Sequence, residues 1–292
     1  MSQTAALRRA HFRHRESLRV RWAEVDMQQI VFNGHYLMYF DTAVAGYWRA
    51  MALPYQESML ALGGDLYVRK VTLEYEASAR YDDLLEVGIR CTRIGNSSMV
   101  LQAAVFRGEL CLVHGDLVYV FADPASQSAK PVPAALREIL TGFEAGDAML
   151  ALRTGDWATL GAEARAIRDA VFIQEQGIPA ALEHDTADAD ALHVVAVNRL
   201  GRALGTGRLL TLDDGVAKIG RMAVLSSVRG AGVGRPLLEA LVAASRSRGD
   251  TEVMLHAQAS AVGFYLRSGF APRGPAFEEA GIAHQEMVLR LR

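Results

Sequence analysis

A chain of 292 residues is about twice the length of an ordinary domain of ~150, so two domains are the default expectation. Hydrophobic residues make up 51% of it and the formal charge is −2, enough for two packed cores. That charge excludes the broad positive field that a nucleic-acid backbone or an anionic membrane surface would need. No run approaches ~18 apolar residues, and the basic stretch from Met1 to Arg15 lacks the apolar segment of a secretion signal. The expectation is a cytoplasmic protein. Cys91 and Cys111 sit in apolar, strand-like runs and read as buried thiols, with no disulfide framework and no metal-ligand set.

In chain order, Tyr36, Phe40, Val44, Tyr47 and Met51 recur at helical spacing, with Leu37 and Trp48 widening the stripe. A helix apolar over so much of its circumference predicts a sheet wrapped around it. Residues 66–77, 84–94, 99–107 and 110–121 favour β-branched and aromatic side chains, and Asp82-Asp83, Gly95-Asn96 and Gly108-Glu109 punctuate them as turns. A helix followed by an antiparallel meander is an α+β pattern. A short helix over 134–141 then runs into residues 142–146, read as a linker, which gives domains 1–142 and 148–292. In the second, helix is expected over 156–174, 232–247 and 261–268, and strand over 192–197, 203–212, 216–224 and 253–257. Helices alternating with strands indicate a mixed α/β sheet.

The most specific segment is Arg229-Gly230-Ala231-Gly232-Val233-Gly234-Arg235, between the end of a predicted strand and the start of a helix. Glycines let backbone approach a ligand closely, and unpaired amides at a helix start favour an anion such as a pyrophosphate. A dinucleotide fingerprint would need this loop after the first strand of its unit and an acid on the next strand. Here the loop follows the third predicted strand, and Asp250 and Glu252 precede the next strand's core, so the order fits poorly.

The segment resembles the R/Q-x-x-G-x-G/A motif of the GNAT superfamily of N-acetyltransferases. Leu255-His256-Ala257-Gln258, Phe264-Tyr265-Leu266-Arg267-Ser268-Gly269-Phe270 and the upstream run 170–179 support the resemblance, which spans about 148–292. It implies acetyl-CoA as a substrate and an amine as acceptor, the amine being unspecified. Gly230, Gly232 and Gly234, with Arg229 and Arg235, would hold the pyrophosphate. Backbone at Met222 and Val224 would hold the pantetheine arm and polarise the thioester, and Tyr265 would protonate the departing thiolate. Glu175, Glu183, Asp185 and His284 are candidates for the base, each more readily read as a solvated surface residue. Ser260-Ala261 stands where many relatives carry Asn, which puts one coenzyme contact in doubt.

In the first half, Asp26 lies in a polar loop ahead of Asn33-Gly34-His35-Tyr36 and the apolar helix. A carboxylate to activate water and helix-start amides to polarise a carbonyl are sufficient parts for thioester hydrolysis, although an Asp before a helix is commonly a turn residue. The pattern resembles hot-dog acyl-CoA thioesterases of the 4-hydroxybenzoyl-CoA type, roughly D-x-x-G-x-V-[YN]-[HN]-x-x-Y, with Asp26, Val31, Asn33 and Tyr36 on its positions and Gln29 in place of its Gly. The resemblance, over about 15–140, implies a sheet around the helix and a homodimer or higher homo-oligomer. It also implies Asp26 as nucleophile or general base, and the Asn33 amide as carbonyl donor. Glu24 stands close enough to share the work, and His35 reads as a helix-start residue that shapes the pocket at most. The resulting expectation is a bifunctional acyl-CoA enzyme without a metal. The alternative is an acetyltransferase whose hot-dog half only binds acyl-CoA or dimerises.

Overall fold

The computed structural model describes residues 7–291; residues 1–6, the start of the basic N-terminal stretch, and residue 292 lie outside the description. The chain divides after Met149 into two units, each with its own sheet.

The apolar helix forms as α1 (His35–Ala50). Its buried stripe is Tyr36, Tyr39, Phe40, Ala43, Val44, Tyr47 and Trp48, two or three positions per turn at helical spacing. Leu37 does not join it and stays 40% exposed, because it lies about 100° around the axis from Tyr36; Tyr39 and Ala43 complete the face instead. Around the helix runs an antiparallel sheet of β1 (His14–Arg19), β2 (Asp65–Tyr75), β3 (Leu84–Ile94), β4 (Ser98–Arg107) and β5 (Leu110–Ala122). Its order is β1-β3-β4-β5-β2, so β2 is an edge. A second helix, α2 (Tyr55–Leu62), ends on left-handed Gly63 before β2. This is the sheet-on-helix arrangement expected for a hot-dog domain. Cys91 and Cys111 are free, half-buried thiols, and burial pushes them up to about 12 and about 11.

The segment expected to be a linker is instead the last turn of α3 (Ala134–Ala145). Gly142 and Phe143 are buried there, and the Glu144 carboxylate accepts from the fully buried Tyr47 hydroxyl and from the Cys91 amide at 2.8 Å. Those bonds fasten the helix to the first unit, and Gly146 (φ 97°) closes it.

His14, on β1 against α1, has its pKa lowered, because burial outweighs the Glu16 carboxylate 3.7 Å away. The unfolded chain therefore takes up this proton near 6.5 while the folded chain resists it, and stability is lost as pH falls through that value. We expect wild type to melt at a lower temperature at about pH 5.5 than at about pH 7.5, and His14→Gln to narrow the gap. A gap left intact in the variant would contradict this.

The second unit is a seven-stranded sheet: β6 (Leu150–Gly155), β7 (Leu192–Asn198), β8 (Ala203–Thr211), β9 (Val216–Val224), β10 (Glu252–Gln258), β11 (Ala271–Glu279) and β12 (Ile282–Arg290). The order is β11-β12-β10-β9-β8-β7-β6, and only β9 and β10 run parallel. This is the mixed sheet expected for a GNAT domain. β6 pairs with β7, and β11 with β12. The helix expected over 156–174 has two parts, α4 (Trp157–Arg168) and a wider π-helical segment, Asp169–Glu175, followed by the single turn α5 (Ala180–Glu183). Packed on the sheet are α6 (Gly234–Arg248) and the short α7 (Val262–Arg267). At Gly207 of β8 a Cβ would crowd Leu241 of α6 and Met222 of β9, so this glycine sets how closely α6 approaches. Among the described residues no helix is long and apolar enough to cross a membrane.

Candidate active sites

In the first unit, a 3-10 turn at Trp22–Glu24 leads into a tight loop closed by a bridge between Val25 and Val31. The Asp26 amide donates to the Ile30 carbonyl and the Gln29 amide to the Asp26 carbonyl, both at 2.9 Å. Gln29 takes φ 62°, the left-handed conformation for which glycine is the natural residue. The loop thus keeps a glycine-like path at the position where the motif's Gly is missing. One carboxylate oxygen of Asp26 accepts from the Gln28 amide at 2.8 Å, and among the described residues the other takes no hydrogen bond.

Glu24 is committed to partners other than Asp26. It is buried, accepts from the Tyr39 hydroxyl at 2.7 Å and the Arg21 amide at 2.8 Å, and pairs with the Arg21 guanidinium. Burial alone would raise its pKa, but these bonds hold it below the usual carboxylate range. Glu24 anchors the loop to α1. On the far side Tyr36 accepts from the Ala79 amide at 2.9 Å, and the Val31 amide donates to the Ala79 carbonyl. The loop delivers Asn33 and Gly34, both exposed, to the start of α1. Among the described residues no acceptor takes either amide, while the Asn33 carbonyl accepts from the Tyr75 hydroxyl at 3.2 Å. His35 packs edge-on against Phe32.

In the second unit, β9 pairs with β10 only from Val216 to Ile219, so from Gly220 to Val224 that edge of β9 has no strand beside it. On its other edge the register slips between Thr206 and Arg208, leaving Arg221 and Met222 opposite Gly207 in a bulge, with Arg221 at φ 52°. A cavity of about 810 Å³ opens at this divergence and is lined by Met222, Val224, Arg229, Ser260, Ala261 and Tyr265, among others. Tyr265 is buried, its hydroxyl 3.9 Å from the Met222 sulfur, and burial pushes it up to about 12. The glycine-rich loop follows β9 directly. Gly230 and Gly232 both have positive φ, and no side chain caps the first turn of α6, where Gly234 and Arg235 lie. Arg229 grips Glu175 with both terminal nitrogens (2.8 Å for one) and donates to the Val224 carbonyl at 3.0 Å. Arg235 is mostly exposed and pairs with Glu239 one turn along. Of the expected coenzyme-binding residues, Met222, Val224 and Arg229 line the cavity together with Tyr265, and the loop glycines with Arg235 sit next to it in the chain.

Sequence reasoning missed the wall opposite. Arg168, 1% exposed, pairs with Glu183 and Asp188. Arg208 pairs with Asp185 and Asp188, and Arg221 with Glu183 and Asp185. Six charges thus interlock behind the cavity, two of them the expected base candidates Glu183 and Asp185. His256 and Glu279 also line it, 3.1 Å apart. The available signal was polar residues alternating with apolar ones along Leu255-His256-Ala257-Gln258.

Residues 158–291 match the family model described as an acetyltransferase (GNAT) domain, and residues 28–113 the model of the thioesterase superfamily. The uncharacterized N-acetyltransferase YjcF of Bacillus subtilis (strain 168) is 36% identical over 123 residues, covering 42% of this chain and 86% of that protein. This chain belongs to the GNAT acetyltransferases. Its GNAT domain is joined to a thioesterase-superfamily domain of the hot-dog type. The acyl-CoA thioester hydrolase YbgC of Escherichia coli O157:H7 is 26% identical over 117 residues, covering 40% of this chain and 87% of its own length. Among solved structures, the PA5185 protein of Pseudomonas aeruginosa PAO1 is 27% identical with a TM-score of 0.41, covering 46% of this chain and 94% of that one. Both families act on CoA-linked substrates, so this GNAT-family chain carries two domains suited to acyl-CoA.

Proposed function

We propose that the chain is a bifunctional acyl-CoA enzyme: the first unit hydrolyses an acyl-CoA thioester, and the second transfers an acetyl group from CoA to an amine. The observation that supports it most is the cavity at the open edge of β9, which gathers Met222, Val224, Arg229 and Tyr265. Backbone groups along 220–224, unclaimed by β10, would bind the pantetheine arm and polarise the thioester carbonyl. The amides of Gly230, Gly232 and Gly234 and the charge of Arg229 and Arg235 would hold the pyrophosphate. The amine lone pair forms the C–N bond, the C–S bond breaks, and the thiolate takes the Tyr265 proton, which a proton from the attacking nitrogen replaces. A phenol raised to about 12 stays protonated at every physiological pH, so this donor is always loaded. Tyr265→Phe is expected to lower kcat for transfer by about 100-fold with the KM for acetyl-CoA little changed, as steady-state kinetics would read. Unchanged kcat would remove Tyr265 from the reaction.

In the first unit, the unbonded oxygen of Asp26 would draw a proton from the water that attacks the thioester carbonyl, or attack it directly to give an anhydride that water then opens. Either way the C–S bond breaks and the CoA thiolate leaves, and the free Asn33 amide would donate to the carbonyl oxygen. Exposed Trp22, Met27, Phe32 and Met38 surround this loop, and β2 offers eleven residues of open strand edge. Both features suit a second copy of the chain, so the hot-dog half is proposed to assemble as a homodimer. A second reading keeps the acetyltransferase and makes the hot-dog half a binding or dimerisation module. It draws on Asp26 already accepting from the Gln28 amide, as a turn residue does.

A further inference from the structure

An alkylamine is protonated at neutral pH and must lose a proton before it attacks a thioester. An acetyltransferase reading of the second unit therefore requires a proton acceptor on the cavity wall, and this inference rests on that reading. Three carboxylates on the wall are committed elsewhere. Glu175 is gripped at both oxygens by Arg229, which holds it below the usual carboxylate range. Glu183 is buried between Arg168 and Arg221. Burial raises Asp185, but Arg208 and Arg221 outweigh it and hold this group low as well. Protonating any of the three would leave arginines without a counter-charge.

His256 is placed differently. It sits on β10 one residue past Leu255, the last to pair with β9, and so lies where the two strands part. Its Nδ1 is 3.1 Å from a carboxylate oxygen of Glu279 on β11. A carboxylate only accepts, so Nδ1 carries the proton and Nε2 keeps its lone pair. The nearest anion to Nε2, Glu286 on β12, is 4.0 Å away, too far for a hydrogen bond. The ring packs edge-on against Phe277 at 4.8 Å, which fixes its plane. The other charged or titratable groups facing the pair are Lys218 on β9 and His284 on β12. His284 also lines the cavity, but its Nδ1 meets the Ile282 carbonyl at 2.8 Å, and among the described residues Glu279 bonds to His256 and not to it.

We propose that His256, oriented by Glu279, accepts the proton from the acceptor amine. The ammonium N–H bond breaks, its electron pair stays on nitrogen for attack on the thioester, and Nε2 carries the proton to water. Glu279 is a positioning residue: its charge steadies the imidazolium and its oxygen fixes the tautomer.

The test uses the full chain, acetyl-CoA and two amines of similar size: benzylamine, protonated at neutral pH, and aniline, which is not. His256→Gln should lower transfer to benzylamine about 100-fold and transfer to aniline by no more than about threefold. Glu279→Gln should lower transfer to benzylamine about 10-fold and leave transfer to aniline nearly unchanged, because the anion no longer orients the ring, and His284→Gln should resemble wild type. Equal losses with both amines would reduce His256 to a structural residue, and no loss with either would overturn the proposal. The ring-nitrogen NMR shifts of His256 are read alongside. A proton on Nδ1 that moves toward Nε2 in Glu279→Gln supports the pairing, and a ring that the substitution leaves unchanged refutes it whether or not transfer occurs. Wild type that transfers to neither amine counts against the acetyltransferase reading, and the ring shifts then decide the pairing alone.

Discussion

Asp26→Asn is expected to lower thioester hydrolysis by the first unit by about 100-fold or more while leaving the fold intact. The amide keeps an oxygen for the Gln28 N–H, and the loop's backbone bonds, from Asp26 to Ile30 and from Gln29 to Asp26, do not involve the side chain. What disappears is the anionic oxygen that takes no hydrogen bond among the described residues. Neither Asn33 nor Glu24 replaces it: Asn33 is not a base, and Glu24 is bound to Tyr39 and Arg21 under the loop. Thiol release from acyl-CoA without amine is the measurement. Hydrolysis retained in the variant would favour the reading in which this half binds without catalysing.

Arg168→Met should have the largest effect on stability, about 3–5 kcal/mol from the second unit. Methionine fills much of the volume, but it strands the Glu183 and Asp188 carboxylates, whose side chains are 3% and 6% exposed. Arg208 and Arg221 compensate only partly, since each already serves Asp185 as well. Denaturant unfolding followed by hydrogen exchange would localise the loss, with amides of β7, β8 and β9 deprotected and those of β3 and β4 unchanged. A loss below about 1 kcal/mol would mean that the interlocked charges contribute little. The same change should loosen the cavity wall at Glu183 and Asp185.

Most of the architecture was legible because its signals are local. The 3.6-residue repeat gave α1, and β-branched and aromatic runs between turn residues gave β3, β4 and β5. The glycine-rich loop marked the junction of β9 with α6. Elements whose stability is decided by packing were not legible. The last turn of α3 contains Gly142 and is followed by Gly146, so it reads as a break, yet Phe143 is buried and Glu144 is bonded to Tyr47. The strand β11 contains Pro272 and Gly274 and is almost wholly exposed, so no apolar alternation announces it. At the sites, single-residue signals located Asp26 and Tyr265, but the state of each carboxylate depended on partners far away in the chain. Glu183 meets Arg168 and Arg221, and Glu175 meets Arg229, 54 positions on. Spacing along the chain does not reveal that a candidate base is already neutralised, nor that His256 faces Glu279 across 23 residues.

The claim that one chain holds two separate acyl-CoA sites is tested most directly by free-thiol release from a panel of acyl-CoAs, with and without amine. Wild type, Asp26→Asn and Tyr265→Phe would be compared. The account predicts that Asp26→Asn loses amine-independent release and keeps amine-dependent release from acetyl-CoA, with the reverse for Tyr265→Phe. Both activities falling together in either variant, or release that no amine stimulates, would contradict it.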